Sequence, residues 1–358
     1  MASLFSGWGF GDNGVLWAIV VACGVFTLLS LAMATTAVVA HLVSKRRART
    51  RKRDKAAWRR LLLDILAGDA PPEALSNRVE MANRHRFLSF LVSYAITIRG
   101  REHQTLREVA RPFLPSVERD LQDRSPMIRA QAVQRLGLLG DSETHAPLLR
   151  DALDDPSQFV GGVAFRHLAK WSDPDDVPLL LEAVRRLSRA DRTQLVASLV
   201  ELGENAAPFL RTALADDERT RFEREVCAET LRWLGDVDAA SVAADLLATT
   251  DPPPELTAAL LRLLRRVGGT RHASIVRPYC DDEVPFVRIQ AARALGQLGE
   301  SSDGALLAER VRTDPSRWVA LSAAQSLAEL GRTDQLRQLR DAASDRGPIA
   351  ADLLPAPA

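Results

Sequence analysis

The first pattern along the chain is a long apolar run over residues 15–40 that contains no charged side chain. At about 1.5 Å of rise per residue, a helix of this length reaches about 39 Å, enough to cross a hydrocarbon core of about 30 Å. Trp8 and Trp17 stand near its start, where aromatic side chains favour the membrane interface. The pattern therefore predicts a transmembrane helix over residues 15–43, preceded by a short extracytoplasmic tail at residues 1–14.

A dense basic cluster follows the apolar run directly. Its seven charged residues are Lys45, Arg46, Arg47, Arg49, Arg51, Lys52 and Arg53. Because positive charge follows the run and none precedes it, the pattern disfavours a cleaved signal peptide and predicts that residues 44–53 face the cytoplasm. The chain is then expected to cross an inner or plasma membrane once, with its N-terminus outside. The same cluster is suited to anionic lipid headgroups, at about 1 kcal/mol per basic residue near the surface.

The C-terminal two thirds of the chain carry a repeated apolar pattern, with a turn residue every 31 to 33 positions. The turn residues are Gly140, Ser172, Gly203, Gly235, Gly268, Gly299 and Gly331. A leucine stands four residues before each of them, at Leu136, Leu168, Leu199, Leu231, Leu264, Leu295 and Leu327. A small or apolar residue stands eight before each, at Ala132, Ala164, Leu195, Cys227, Leu260, Ala291 and Ala323. Such a stripe, closed by a glycine, predicts an amphipathic helix that ends at the turn.

A second apolar segment follows each turn, for example at residues 146–153 and 207–214, and a connector rich in Asp and Pro usually comes next. Asp and Pro at such positions end one helix and cap the next. The unit is therefore a helix, a turn and a second helix, about 32 residues long. One unit cannot bury its apolar stripe alone, so the copies predict an all-α solenoid of about seven stacked helix–turn–helix repeats.

The copy VRIQAARALGQLG, at residues 287–299, resembles the HEAT repeat family, in particular the short HEAT-like repeats of the phycobilisome lyases. The resemblance extends over residues 123–345 and implies an α-solenoid of stacked HEAT-like repeats. Residues 54–122 are helical in pattern but less regular, and we expect degenerate repeats or an N-terminal cap there. Residues 346–358 are expected to form a C-terminal tail.

Composition and charge narrow the class of function. Aromatic residues make up 5% of the chain, a composition that favours helices. The net charge is +1, but the charge is distributed unevenly along the chain. The basic cluster holds +7 whereas residues 54–358 sum to −5, which argues against a nucleic-acid partner. Cys23, Cys227 and Cys280 form no paired motif, so neither a disulfide framework nor a zinc site is predicted. The preference for Arg over Lys is typical of a GC-rich bacterial genome.

No catalytic motif is recognisable in the sequence. It lacks a P-loop, a dinucleotide-binding glycine pattern and a Gly-x-Ser-x-Gly elbow, and it lacks the His-Glu pairs with which HEAT-like deoxyhypusine hydroxylases hold iron. No catalytic residue, cofactor or metal ligand is therefore predicted. His145 and His272 stand near the starts of second helices, where we expect a surface or capping role. Trp233 and Trp318 are expected to pack between repeats.

Three arginines occupy similar positions in the second helices: Arg150, Arg211 and Arg277. Second helices usually line the concave surface of a helical solenoid, so this row is a candidate site for an acidic helix or loop of a partner. Solvated arginines without a partner are the alternative. Trp171, at the atypical second turn, is a candidate surface anchor.

These patterns predict a membrane-anchored scaffold that presents a cytoplasmic repeat surface to a protein partner and has no enzymatic activity. The partner is expected at the membrane. A membrane enzyme such as a glycosyltransferase is one hypothesis, and tethered signalling or envelope-assembly machinery are others. Two alternatives stay open: a bilin lyase or isomerase, as the resemblance to phycobilisome lyases implies, and a peripheral module that binds anionic lipids.

Overall fold

The computed structural model describes residues 14–172, 176–187, 191–342 and 347–354, and each regular element within these ranges is a helix. In the first helix, side chains are described at positions 17, 19–36, 41 and 45 and from 53 onward. The chain divides into two compact units, Met1–Val109 and Ala110–Ala358.

The first unit contains α1 (Gly14–Ala67), α2 (Glu73–Ser76), α3 (Arg84–Ala95) and α4 (Arg101–Ala110), with a 3-10 turn at Met81–Asn83. Helix α1 is continuous over 54 residues. It therefore joins the apolar run, the basic cluster and the following helical segment, which the sequence pattern predicts as separate segments. Apart from Gly24 no helix-breaking residue interrupts this stretch, and Gly68, with a φ of 87°, then ends the helix.

The second unit opens with a 3-10 turn at Arg111–Phe113 and α5 (Leu114–Asp120), and then repeats one motif. The helix pairs are α6 (Pro126–Leu139) with α7 (Ser142–Asp151), α8 (Gln158–Trp171) with α9 (Val177–Arg186), α10 (Arg192–Val200) with α11 (Ala207–Ala215), α12 (Arg221–Leu234) with α13 (Ala239–Thr249), α14 (Pro254–Val267) with α15 (Ala273–Val276), α16 (Pro285–Leu298) with α17 (Gly304–Thr313), and α18 (Arg317–Glu329) with α19 (Thr333–Asp341). Helix α20 (Gly347–Ala351) follows the last pair. The first helix of each pair packs against the first helix of the next pair, which confirms the predicted solenoid of seven repeats.

The core of the second unit is the predicted apolar stripe. The seven leucines that stand four residues before the turns are at most 2% exposed, and so are the seven residues that stand eight before them. Fully burying a leucine side chain contributes about 1.5–3 kcal/mol, so the stripe accounts for much of the cohesion between neighbouring pairs. The fifth pair departs from the pattern, because Pro278 lacks a backbone N–H and the second helix continues as a 3-10 turn at Arg277–Asp281.

The turn glycines end the first helices in two different ways. Gly235 is left-handed, with a φ of 73°, and the N–H groups of Gly235 and Asp236 both donate to the carbonyl of Leu231 at 3.0 and 3.2 Å. Gly140 is extended instead, and a Cβ there would approach the carbonyl oxygen of Leu136 to 2.6 Å. The left-handed backbone therefore requires glycine at position 235, and close packing against the carbonyl of Leu136 requires it at position 140.

Candidate functional site

The apolar run forms the exposed N-terminal part of α1. Its segment 19–36 has a mean hydropathy of 2.1 and none of it is buried. The segment is long and apolar enough, by length and composition, to cross a membrane. Large apolar side chains such as Phe26, Leu28 and Met33 are between 69% and 74% exposed.

The basic cluster lies in the middle of α1. Lys45 and Arg53 are exposed to solvent. The side chains of Arg46, Arg47, Arg49, Arg51 and Lys52 lie outside the described part of the chain, as do residues 1–13 of the predicted outer tail.

The C-terminal part of α1 belongs to the core of the first unit. Trp58, Leu62 and Ile65 are buried, and the Trp58 ring meets the Phe87 ring edge-on at 5.2 Å between centroids. Arg86 fixes the same helix through an ion pair with Asp54, at 2.7 Å from Nη2 to Oδ2. The helix that carries the exposed apolar stretch is thus held by a packed aromatic cluster at its other end.

Each of the three predicted arginines contacts an aspartate of the next repeat. These ion pairs join Arg150 Nη2 to Asp176 Oδ1 at 3.8 Å, Arg211 Nη1 to Asp236 Oδ1 at 2.6 Å, and Arg277 Nε to Asp303 Oδ1 at 2.5 Å. The partners are 25 or 26 residues apart, so one arrangement recurs at three junctions between repeats. The row therefore connects neighbouring repeats, and its role in binding a partner stays a prediction.

Buried polar side chains cap the turns between paired helices. His145 Nδ1 accepts from the N–H of Asp141 at 3.2 Å, and His272 Nδ1 accepts from the N–H of Gly269 at 3.0 Å. In the sixth repeat Asp303 takes this place and accepts from the N–H of Glu300 at 2.8 Å. Burial acts to raise the pKa of Asp303, but hydrogen bonds from Arg277 and Glu300 hold it below its usual value. The predicted capping role of the two histidines agrees with this geometry.

The tryptophans are placed differently from the prediction. Trp233 is 64% exposed and Trp318 is 71% exposed, so the expectation that both pack between repeats is wrong. Trp233 stands two residues before its turn, on the solvent side of α12, and Trp318 stands at the second residue of α18. Trp171, the last residue of α8, is partly exposed, and its role as an anchor stays a prediction.

Cys227, Cys280 and His167 are buried side chains that could in principle react or bind a metal. Burial raises the pKa of the Cys227 and Cys280 thiols to about 12 in each case. Burial, followed by the charges of Lys170 and Arg166, lowers the pKa of His167 to about 4. Within the ranges that the structure describes, no group of three His, Cys, Asp or Glu side chains is placed to hold a metal ion.

A sequence profile described as HEAT repeats matches residues 115–200 and 246–328. The repeats are HEAT repeats. The region between the two matches continues the same pairing of helices, since α11, α12 and α13 keep the spacing of their neighbours. Among curated proteins, no sequence matches this chain.

Several solved structures are similar to this chain at low identity. The karyopherin Kap121p bound to the SUMO protease Ulp1p is 12% identical over 79% of this chain, with a TM-score of 0.39, and Kap121p bound to Ste12p is 12% identical over 84%, with a TM-score of 0.40. The HEAT-repeat chain spans about 43% of the length of these karyopherin chains. Human deoxyhypusine hydroxylase in complex with glycerol is 20% identical, with a TM-score of 0.32; the match covers 80% of this chain and 98% of the hydroxylase.

Proposed function

We propose that this protein is a membrane-anchored scaffold whose HEAT repeats bind a protein partner on the cytoplasmic side of a membrane. The observation that carries the proposal is the continuity of α1. One helix contains an uncharged, exposed apolar stretch of membrane-spanning length and the buried residues Trp58, Leu62 and Ile65 of a folded unit. A continuous apolar surface of this extent marks a site of membrane or protein contact, and a bilayer would bury it.

The basic cluster supports an orientation with the N-terminus outside. Lys45 to Arg53 follow the apolar stretch within the same helix, and basic residues next to a span favour the cytoplasmic side. From Thr36 to Asp54 the helix rises about 27 Å, which brings the cluster near the headgroups and the packed residues of the first unit, from Trp58 onward, just beyond them. Anionic lipid headgroups are then accessory ligands of the cluster.

The partner is proposed to be a protein in or at the same membrane. Tethering confines the repeats near the bilayer and raises their effective concentration toward membrane partners. Stacked repeats offer an extended surface for such a partner. A membrane enzyme such as a glycosyltransferase is one candidate, and signalling or envelope-assembly proteins are equally compatible.

Anchoring is tested by disrupting the apolar stretch. The double substitution Leu28→Arg and Leu29→Arg places two charges in its centre, at a cost of about 2.5–3.5 kcal/mol each for membrane insertion. We expect the variant to leave alkaline-washed membranes, whereas the wild type stays. Leu63→Arg is the matched control, since Leu63 is 53% exposed on the same helix but lies outside the stretch. A wild-type chain that washes off the membrane contradicts the proposal.

Orientation and partner binding need separate measurements. Reporter fusions at the two termini determine the topology, and purification in mild detergent tests for a stoichiometric protein partner. Deleting Lys45 to Arg53 while keeping the apolar stretch is expected to change topology more than partner binding. The reverse result would make the cluster a primary recognition element, and consistent absence of any partner would contradict the scaffold function.

A further inference from the structure

The outer face of the first helices has a defined register between repeats. Residues two positions before the turn lie side by side in neighbouring repeats: Lys170 Nζ is 3.7 Å from Glu201 Oε2, and Gln297 Nε2 donates to Glu329 Oε2 at 3.3 Å. Residues six positions before the turn do the same, since Arg262 Nη2 is 2.5 Å from Glu229 Oε1. Equivalent positions on adjacent first helices are therefore neighbours on the surface.

Trp233 occupies the first of these two registers, between Glu201 of the preceding repeat and Arg266 of the following one. Its indole is 64% exposed, and the guanidinium of Arg232 lies over the ring at 4.7 Å from the centroid. An exposed tryptophan held by a cation has its orientation set before a partner arrives.

Three exposed arginines without a counterion follow Trp233 on the next two first helices, two on α14 and one on α16. Arg262 and Arg232 both contact Glu229, which leaves that carboxylate saturated. By contrast, Arg265, Arg266 and Arg293 are exposed and form no ion pair among the residues described. Arg266 is the next residue after Trp233 in the row of positions two residues before the turn. Arg293 is the next after Arg262 in the row of positions six residues before the turn. We call Trp233, Arg265, Arg266 and Arg293 the Trp233 patch.

The arginines of the Trp233 patch differ from many other arginines of the second unit. Many of these arginines engage carboxylates, as Arg211 does with Asp236 of the next repeat and Arg288 does with Asp314 of its own repeat. Neighbouring cations without counterions repel one another and raise the local positive potential, which favours an anionic ligand. Tryptophan and arginine are also the residues most enriched among those that dominate binding energy in protein interfaces.

We propose that the Trp233 patch binds an acidic segment of a protein partner. An apolar side chain of that segment covers the indole of Trp233, and its carboxylates pair with Arg265, Arg266 and Arg293. Arginine suits this role because its planar guanidinium binds a carboxylate through two parallel hydrogen bonds. The inference rests on the proposed scaffold function and adds the face of the repeats that binds and the chemistry of the partner.

The test measures binding of labelled synthetic peptides by fluorescence anisotropy to the full chain in neutral phosphatidylcholine nanodiscs. The probes are short peptides rich in Asp and Glu around one central Leu, Phe or Trp, with matched peptides in which Gln and Asn replace the acids. We expect the acidic peptides to bind and the neutral ones not to bind. Trp233→Ala and the double variant Arg265→Glu, Arg266→Glu should each weaken binding by roughly tenfold or more, and Trp233→Phe should retain most of it.

Two substitutions elsewhere on the repeats serve as matched controls. Trp318→Ala removes a tryptophan that is 71% exposed at the other end of a first helix, and Arg337→Glu reverses an exposed arginine on a second helix. Both variants should bind the peptides with an affinity within about twofold of the wild type, since positions at the rim of an interface or far from it contribute little to the binding energy. Equal losses in the controls and in the Trp233 patch variants would overturn the proposal.

Other ligands of the same charge give different outcomes. Two further ligands are tested: vesicles that contain phosphatidylserine, and a single-stranded oligonucleotide. If either one binds through Trp233 while no acidic peptide binds, the proposal is also overturned. The wild-type chain could stay in washed membranes and purify with a partner, yet bind no acidic peptide. That result would overturn this inference and leave the scaffold proposal intact. Loss of membrane retention contradicts the scaffold proposal whatever the peptides do.

Discussion

Arg288 and Asp314 form a two-pronged ion pair inside the sixth repeat. Nε lies 2.7 Å from Oδ2 and Nη2 lies 2.9 Å from Oδ1, with both side chains almost entirely buried. The remaining nitrogen, Nη1, donates to the carbonyls of Asp282 and Glu283. Arg129 and Asp155 repeat this arrangement in the first repeat at 2.7 and 2.8 Å. The pair ties the start of a first helix to the connector that follows its own second helix.

Replacing Arg288 should destabilise the repeats strongly. Arg288→Met leaves the Asp314 carboxylate buried without its cation, which costs about 3–5 kcal/mol. The measurement is urea unfolding of the full chain in mild detergent, followed by circular dichroism. Arg337→Ala, at an exposed position, should change the free energy of unfolding by less than about 0.5 kcal/mol. Equal effects of the two substitutions would contradict the role given to the ion pair.

Two helical glycines should respond in opposite directions to alanine. A Cβ at Gly137 would overlap the ring of His167, so Gly137→Ala should cost about 1–3 kcal/mol. Gly162 has open space around its Cβ position, and Gly162→Ala should stabilise α8 by up to about 1 kcal/mol. Thermal unfolding of both variants provides the comparison. A stabilising effect at Gly137 would show that His167 has room to move.

His167 should make stability depend on pH in mildly acidic solution. Burial lowers its pKa from 6.5 to about 4, so below pH 6.5 the unfolded chain binds a proton that the folded chain does not. Stability is therefore complete above pH 6.5 and falls as the pH drops toward 4, by up to about 3 kcal/mol. His167→Leu should flatten this part of the profile. The aspartates with lowered pKa lose their contribution only at lower pH, below about 4.

The junctions between repeats should show measurable coupling. Arg211 and Asp236 are partly exposed, so their ion pair is expected to contribute about 0.5–1 kcal/mol to the free energy of unfolding. A double-mutant cycle with Arg211→Ala and Asp236→Ala isolates this energy. A coupling energy of zero would leave Arg211 available to partners and would favour the predicted row of binding arginines.

Much of the fold follows from the sequence because repetition amplifies a weak signal. One leucine before one turn residue predicts little, but seven such pairs at nearly constant spacing, six of them closed by glycine, determine the helices, their ends and their buried faces. Leu136 and Leu327, nearly 200 positions apart, are both fully buried for the same reason. The kind of turn was not predicted, since Gly140 is extended whereas Gly235 is left-handed.

The candidate surfaces were harder to predict, because they depend on which side chains meet across repeats. Sequence spacing placed Arg211 and Arg277 at equivalent positions but did not identify Asp236 and Asp303 as their neighbours. Trp233 was expected to pack between repeats but is exposed. Its place two residues before the turn, equivalent to Lys170 and Glu201, was the signal that could have placed it outside.

The sequence by itself determined the helical repeats, the apolar stretch of membrane-spanning length and the basic cluster, since these depend on local periodicity and composition. Tertiary structure alone decided which charges are neutralised and which stay free. Contacts between residues some 26 to 33 positions apart depend on how one helix stacks on the next, as Arg262 does on Glu229. That stacking paired many repeat arginines with carboxylates, whereas Arg265, Arg266 and Arg293 stay exposed on the two first helices that follow Trp233.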